Sequence, residues 1–249
     1  MRAEDIKTIG MMGGGVMGGG IGQTLALGGY KVIIRDLTDE LLEKTRSGLI
    51  DGRFGLKGGV ERGKVTGEQM DAAVANLSYT TALEDLRDVE LLIEAVPENL
   101  ELKRKVWAEL DSLVKPGAIF ATNTSGFAIQ DLNQAVARKD LFLGMHWFSP
   151  ANIMRLVELI HAPETSGEAI EALEDVCAKA GKVSVRVKDA PGEYGFIANR
   201  IYYAAVAEAR KVLEQGIATD EDINKAMVYG FNWPVGPLAM AAGARRGFA

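Results

Sequence analysis

The run Gly13-Gly14-Gly15-Val16-Met17-Gly18 constrains this chain more than any other stretch. It follows Ile6–Met12, a short apolar segment that reads as a buried strand, and it opens a helical pattern reaching about Leu27. A second strand, Lys31 to Asp36, comes next, and Asp36 lies 18 residues beyond Gly18. A GxGxxG turn alone is a weak signal in so glycine-rich a segment. The strand before it, the helix after it and the acid ending the second strand make it a βαβ dinucleotide-binding unit. Gly13 allows the tight turn, Gly15 lets backbone N–H groups approach a pyrophosphate, and Gly18 lets the helix lie against the sheet. Val16 and Met17, inside the same turn, count with them as cofactor-binding residues. Asp36 is placed to accept hydrogen bonds from the adenosine ribose and to repel a 2′-phosphate, which favours NAD over NADP. Arg35 does not compete, because adjacent strand residues face opposite ways.

Composition narrows the class. Lys and Arg number 28 against 34 Asp and Glu, a formal net charge of −6, so the basic field that nucleic-acid binding requires is missing. Thr8 to Tyr30 carries no charge for 23 residues, long enough to span a bilayer, but ten of the 23 are Gly, each costing a helix roughly 1 kcal/mol relative to Ala. Met1 to Lys7 mixes both charge signs, unlike a basic leader, so neither an export signal nor a membrane anchor is expected. A single cysteine, Cys177, permits no internal disulfide, and with two histidines there is no zinc set. A reducing, cytoplasmic setting and no metal are the expectation.

Strands at roughly Val89–Val96, Ile119–Ser125 and Phe142–Trp147 alternate with helical stretches, notably Asn99–Leu113, which implies a largely parallel sheet covered on both faces. Arg155–Ala162 reads as a further strand, Ser166–Ala180 as an amphipathic helix and Lys182–Lys188 as an alternating strand. Ser47–Lys64 reads as a helix interrupted by a loop, its Lys57, Arg62 and Lys64 forming a solvated face. Asp189–Gly195 breaks every periodicity. The fold expected is α/β: a Rossmann-like domain over residues 1–190, then a small all-helical domain over 191–249. In the latter, Phe196–Gln215 is apolar-periodic and stopped by Gly216, and Thr219 opens a second helix with Asp222 at the capping-box position.

Two further clusters carry chemistry. His146 in GMHWFSP and Glu158 in MRLVELI each sit inside an apolar run, where a carboxylate is costly unless paired. A histidine twelve residues earlier on a neighbouring strand is its natural partner, as a general base oriented by a carboxylate or as a purely structural hydrogen bond. The segment ATNTSG, Ala121 to Gly126, ends a strand at the edge where open parallel sheets place their ligand crevice. Asn199, early in the first helix after the boundary, reads either as a polar residue aimed at that crevice or as a neutral helix residue.

From Ile9 to about Pro237 the chain resembles the L-3-hydroxyacyl-CoA dehydrogenases, in GGGVMGGGI, EAVPENLELKRKVW, ATNTS, GMHWFSP, LVELI, GFIANR and GFNWPVGPLA, in that order. The resemblance implies an NAD-binding domain followed by a helical domain that closes over an acyl-CoA thioester and forms much of a homodimer interface. By position it makes His146 the catalytic base and Glu158 its orienting partner, with Ser125 and Asn199 on the substrate oxygens. Glu98 and Lys103 match positions near the nicotinamide-side ribose, and Asn123 lies on the cofactor path.

The chain departs from the family pattern in four places. Gly14, Gly19 and Gly22 replace other small residues, which should weaken the first helix, and Ser149 replaces an Asn. Extra residues interrupt the hinge in GEYGFIANR, and after GPLA the usual helices give way to MAAGARRGFA. A C-terminal domain so shortened is expected to leave Ile197, Ile201, Tyr202 and Val206 without their usual cover and to bury them in a homodimer. The reaction expected is NAD-dependent oxidation of a 3-hydroxyacyl-CoA or its reverse, in fatty-acid or butyryl-CoA metabolism. Turnover of a free β-hydroxy acid such as gulonate and a dinucleotide-binding protein without turnover are the alternatives.

Overall fold

A computed structural model describes residues 2–245. The chain divides into two compact units, one ending at Glu193 and one beginning at Tyr194. The first contains β1 (Thr8–Met12), α1 (Val16–Leu27), β2 (Lys31–Arg35), α2 (Asp39–Asp51), α3 (Leu56–Glu61), α4 (Gly67–Ala75) and β3 (Leu77–Thr80). It continues through β4 (Leu91–Glu94), α5 (Leu100–Leu113), β5 (Ile119–Thr122), α6 (Ile129–Leu132), β6 (Phe142–Trp147), β7 (Leu156–His161), α7 (Gly167–Lys179) and β8 (Val183–Lys188).

The strands form one sheet in the order β3-β2-β1-β4-β5-β6-β7-β8. From β3 to β6 all neighbours are parallel, the doubly wound Rossmann arrangement. β7 then runs antiparallel to β6, and β8 follows β7 in parallel. Strands β4, β5 and β6 are buried along their whole length because helices cover both faces, which is why their sequences are continuous apolar runs and not alternating ones. Edge strand β8 alternates instead, and carries Arg186 and Lys188, charges that discourage further strand pairing.

Helix ends follow side-chain chemistry. Thr38, Asn99 and Ser166 each accept a backbone N–H three residues on, and Thr66 with Gln69 closes a reciprocal capping box. The carbonyls that end α5 are satisfied by Arg138, whose guanidinium donates to Asp111, Val114 and Lys115, pairs with the Asp111 carboxylate at 2.6 Å and lies over the Phe120 ring.

The elements α4, β3 and the helix Pro237–Arg245 escape a reading of the sequence, the last lying where the chain departs from the family pattern. β3 has four residues, only partly buried at the sheet edge, so neither alternation nor an apolar run marks it. The outer strand ends shorten by one to three residues, for example Leu91–Glu94 within Val89–Val96.

The second unit comprises α8 (Ile197–Glu214), α9 (Asp220–Phe231) and α10 (Pro237–Arg245). Thr219 caps α9 through the Asp222 N–H, but the Asp222 carboxylate takes the Thr219 hydroxyl proton, so only half of a capping box forms. Asn224 caps α10 by accepting from Leu238 and Ala239 N–H, each at 3.1 Å. Helices α9 and α10 both pack on α8. The expected loss of cover is therefore partial: Val206 is buried and Tyr202 half-buried, whereas Ile197 and Ile201 are 43% and 63% exposed.

Candidate active site

Everything proposed for the first unit's site gathers at the carboxyl edge of the parallel strands. After β1, Gly13 adopts a left-handed conformation (φ 97°) and donates its N–H to the Arg35 carbonyl at 2.9 Å, joining the turn to β2. Gly14 N–H donates to Asp36 Oδ2 at 2.8 Å, and Leu37 N–H donates to Oδ1 at 2.7 Å, so the carboxylate stands fixed beside the glycine turn. Arg35 turns away toward the Thr81 carbonyl. Gly15 begins α1 without any side-chain cap, and a Cβ placed there would meet nothing within 4 Å. A Cβ on Gly18 would stand 1.8 Å from the Gly13 carbonyl oxygen. An uncapped helix N-terminus, open space over Gly15 and a fixed acid at the end of β2 suit a dinucleotide. They line a cleft of about 580 Å³ with Val16, Leu41 and Thr45.

Two of the three extra glycines, Gly14 and Gly22, serve close packing. Thr45 of α2 donates its hydroxyl to the Gly14 carbonyl at 2.7 Å, and a Cβ on Gly14 would stand 2.8 Å from that hydroxyl. Gly22 faces Ile34 in the same way, at 3.0 Å. The β-branched side chains of β2 and α2 occupy the volume that side chains on α1 would otherwise take.

Beyond β4 a buried polar chain connects four elements. Lys103, enclosed on α5, places Nζ 2.6 Å from Glu94 Oε1, 3.4 Å from Glu98 Oε2 and 3.2 Å from the Val96 carbonyl. Glu94 also accepts from Thr122 Oγ1 at 2.7 Å and Val96 N–H at 2.7 Å. Glu98 accepts from Thr124 Oγ1 at 2.6 Å and Ser125 N–H at 2.8 Å. Lys103 is thus wholly covered and reaches the crevice only through Glu98, whose side chain is 31% exposed. Asn123 accepts from Trp147 N–H at 2.9 Å, tying the ATNTSG turn to the strand of the histidine.

His146 and Glu158 sit directly opposite each other on the antiparallel pair β6 and β7. Imidazole Nδ1 lies 2.7 Å from Glu158 Oε2, with both side chains buried. With Glu158 ionised the carboxylate could only accept, which would put the imidazole proton on Nδ1 and leave Nε2 as the nitrogen not engaged by Glu158. The ring also packs on Phe148, centroids 4.5 Å apart. Lys182 braces the following loop, donating to the Ala151 and Met154 carbonyls at 2.6 and 2.8 Å, and burial pulls its ammonium down to about 8. Burial pushes the Cys177 thiol up to about 12, the behaviour of an inert core residue.

The first unit contains the glycine turn, Asp36, Glu98, Lys103, Asn123, Ser125, His146 and Glu158; Asn199 lies in the first turn of α8, in the second. Reading the sequence passed over Glu94, although the signal that singled out Glu158 is present there too: a carboxylate inside an apolar run, LLIEAV.

Residues 8–190 match the family model for the 3-hydroxyacyl-CoA dehydrogenase NAD binding domain, and residues 195–244 match the model for its C-terminal domain. The chain belongs to the 3-hydroxyacyl-CoA dehydrogenase family. It is 37% identical over 238 residues to the mitochondrial hydroxyacyl-coenzyme A dehydrogenase of Rattus norvegicus, covering 94% of this chain and 75% of that one. The crystal structure of (S)-3-hydroxybutyryl-CoA dehydrogenase from Ralstonia eutropha superposes with a TM-score of 0.89 at 36% identity, over 95% of this chain and 81% of that one. A diketoreductase structure is also similar, with a TM-score of 0.85 at 28% identity over 94% and 81% of the two chains. In this family setting the N-terminal unit is an NAD-binding Rossmann domain. No helix among the described residues is long and apolar enough to cross a membrane.

Proposed function

We propose that this chain interconverts an L-3-hydroxyacyl-CoA and the 3-oxoacyl-CoA with NAD as cofactor. The observation that carries the reading is the His146–Glu158 pair, 2.7 Å apart and buried at the ligand edge of an NAD-binding sheet. Bound NAD supplies the acceptor for the hydride leaving C3. His146 Nε2 takes the hydroxyl proton, and Glu158 stabilises the imidazolium that results. In the reverse direction the same nitrogen returns the proton. Ser125 and Asn199 hydrogen-bond the substrate oxygens. The amides of Gly13–Gly18, together with Val16 and Met17, hold the pyrophosphate, Asp36 the adenosine ribose, and Glu98 and Asn123 the nicotinamide side, with Lys103 acting through Glu98.

The helical unit that begins at Tyr194 serves to cover the acyl-CoA and to join two chains as a homodimer. A cytoplasmic setting is part of the same reading, as is a role in fatty-acid or butyryl-CoA metabolism. The diketoreductase relative motivates a second reading, a carbonyl substrate without CoA.

The test is NADH-dependent reduction of acetoacetyl-CoA beside free dicarbonyl compounds and β-hydroxy acids. Acetoacetyl-CoA is expected to have the highest kcat/KM. The variant His146→Gln should retain NADH binding and lose on the order of 10²–10⁴ in kcat, and Glu158→Gln should also be slow, because the charge supporting the imidazolium is gone. Near-normal turnover by His146→Gln would refute the mechanism, and preference for a free substrate would transfer the assignment to the second reading.

A further inference from the structure

We propose that Glu94 is a positioning residue, which through Lys103 sets the carboxylate of Glu98 and the Thr124–Ser125 turn. The proposal deepens the reading above and rests on its placing of Glu98 and Ser125 in the site.

The distances are unequal in a way that matters. Lys103 Nζ is 2.6 Å from Glu94 and 3.4 Å from Glu98. Glu94 takes the short bond, so the ammonium is held back from Glu98, whose Oε1 stays on Thr124 Oγ1 and Ser125 N–H. Both Lys103 and Glu94 side chains are fully buried, where an unpaired charge is costly. If Glu94 lost its charge, the ammonium would have one carboxylate left and would close on Glu98. That motion draws Glu98 off the turn and occupies the oxygen a ligand hydroxyl would use.

The turn is tightly determined by the same atoms. Thr124 Oγ1 donates to Glu98 and accepts from Gly126 and Phe127 N–H, at 3.3 and 3.0 Å. Asn123 N–H donates to the Glu94 carbonyl at 2.7 Å. Glu94 therefore holds this turn twice, through its backbone and through its side-chain charge, while its own carboxylate is fully buried.

The experiment compares Glu94→Gln, Glu94→Gln with Lys103→Met, Glu98→Gln and Glu94→Gln with Glu98→Gln. Measured for each are the NADH dissociation constant by fluorescence, kcat and KM for acetoacetyl-CoA, and Tm. The pair variant guards against misfolding, because replacing a whole buried ion pair is tolerated better than breaking one. Glu94→Gln alone should raise the NADH Kd about fivefold and lower kcat/KM about tenfold, the coupling expected of groups in one network, and adding Lys103→Met, which removes the ammonium that would close on Glu98, should restore both to within about twofold of wild type. Adding Glu98→Gln to Glu94→Gln should cost less than about twofold more, since the effect passes through Glu98. A lower Tm with unchanged Kd and kinetics would overturn the proposal, and so would losses that multiply with Glu98→Gln. Wild-type protein that binds NADH but does not reduce acetoacetyl-CoA refutes the substrate reading alone, and the Kd cycle, which needs no substrate, still decides the role of Glu94.

Discussion

Asp36 shows how much one carboxylate does at the residue scale. It accepts Gly14 N–H and Leu37 N–H, one on each oxygen, and retains lone pairs for a ribose. Its charge also opposes a 2′-phosphate. Asp36→Ala should therefore weaken NADH by about tenfold or more, a charged hydrogen bond being worth roughly 1.5–3 kcal/mol, and weaken NADPH less. Fluorescence titration with both cofactors checks this, and a wild-type preference for NADPH would show that Asp36 does not read the ribose. Burial and register together place Glu158: it lies directly across from His146 and faces its Nδ1.

At the element scale α1 tests the packing account of the glycines. Gly19 has only van der Waals neighbours at 3.4 Å around an added Cβ, whereas at Gly18 the Cβ would stand 1.8 Å from a backbone oxygen. Gly19→Ala should thus raise Tm, by an amount corresponding to about 0.5–1 kcal/mol of helix propensity. Gly18→Ala should displace the turn and abolish NADH binding. Equal effects of the two substitutions, in thermal unfolding and NADH titration, would refute this reading of the helix. The expectation that the extra glycines merely weaken α1 holds for Gly19 but leaves out Gly14 and Gly22, which bring Thr45 and Ile34 close enough to fix the turn against α2 and β2.

For the whole molecule, the apolar surface of the second unit carries the argument. Ile201, Ile217, Phe231 and Tyr229 are 63%, 68%, 74% and 84% exposed. At about 25 cal/mol per Å² of apolar surface, covering several such side chains contributes several kcal/mol, comparable to a domain's entire stability. A homodimer through α8 and α9 is therefore expected, and self-complementary pairing is the common solution. Sedimentation equilibrium at micromolar concentration should give twice the chain mass, and Ile201→Asp with Phe231→Asp should shift it toward the monomer. A wild-type monomer that binds no hydrophobic dye would contradict the interface.

Much of this was legible in the chain itself. The glycine turn with Asp36 implies a dinucleotide-binding βαβ unit because only glycine permits the conformation at Gly13 and the contact at Gly18, and continuous apolar runs imply strands buried on both faces. Local chemistry also marks the starts of α2, α4, α5, α7 and α9, since capping acts within a few residues. What sequence could not decide was pairing between distant segments. The antiparallel turn of β7 against β6, which sets Glu158 opposite His146, and the packing of α5 against β4 and β5, which encloses Lys103 between Glu94 and Glu98, depend on which elements meet. β3 lacked any periodic signal of its own and takes its form from the strand it pairs with, whereas α4 carries a local signal in the Thr66–Gln69 capping box that a search for periodicity passes over. A carboxylate in an apolar run shows that a partner must exist; the nearby His146 could be named for Glu158 from the sequence, but for Glu94 only the folded sheet decides that the partners are Lys103 and Thr122.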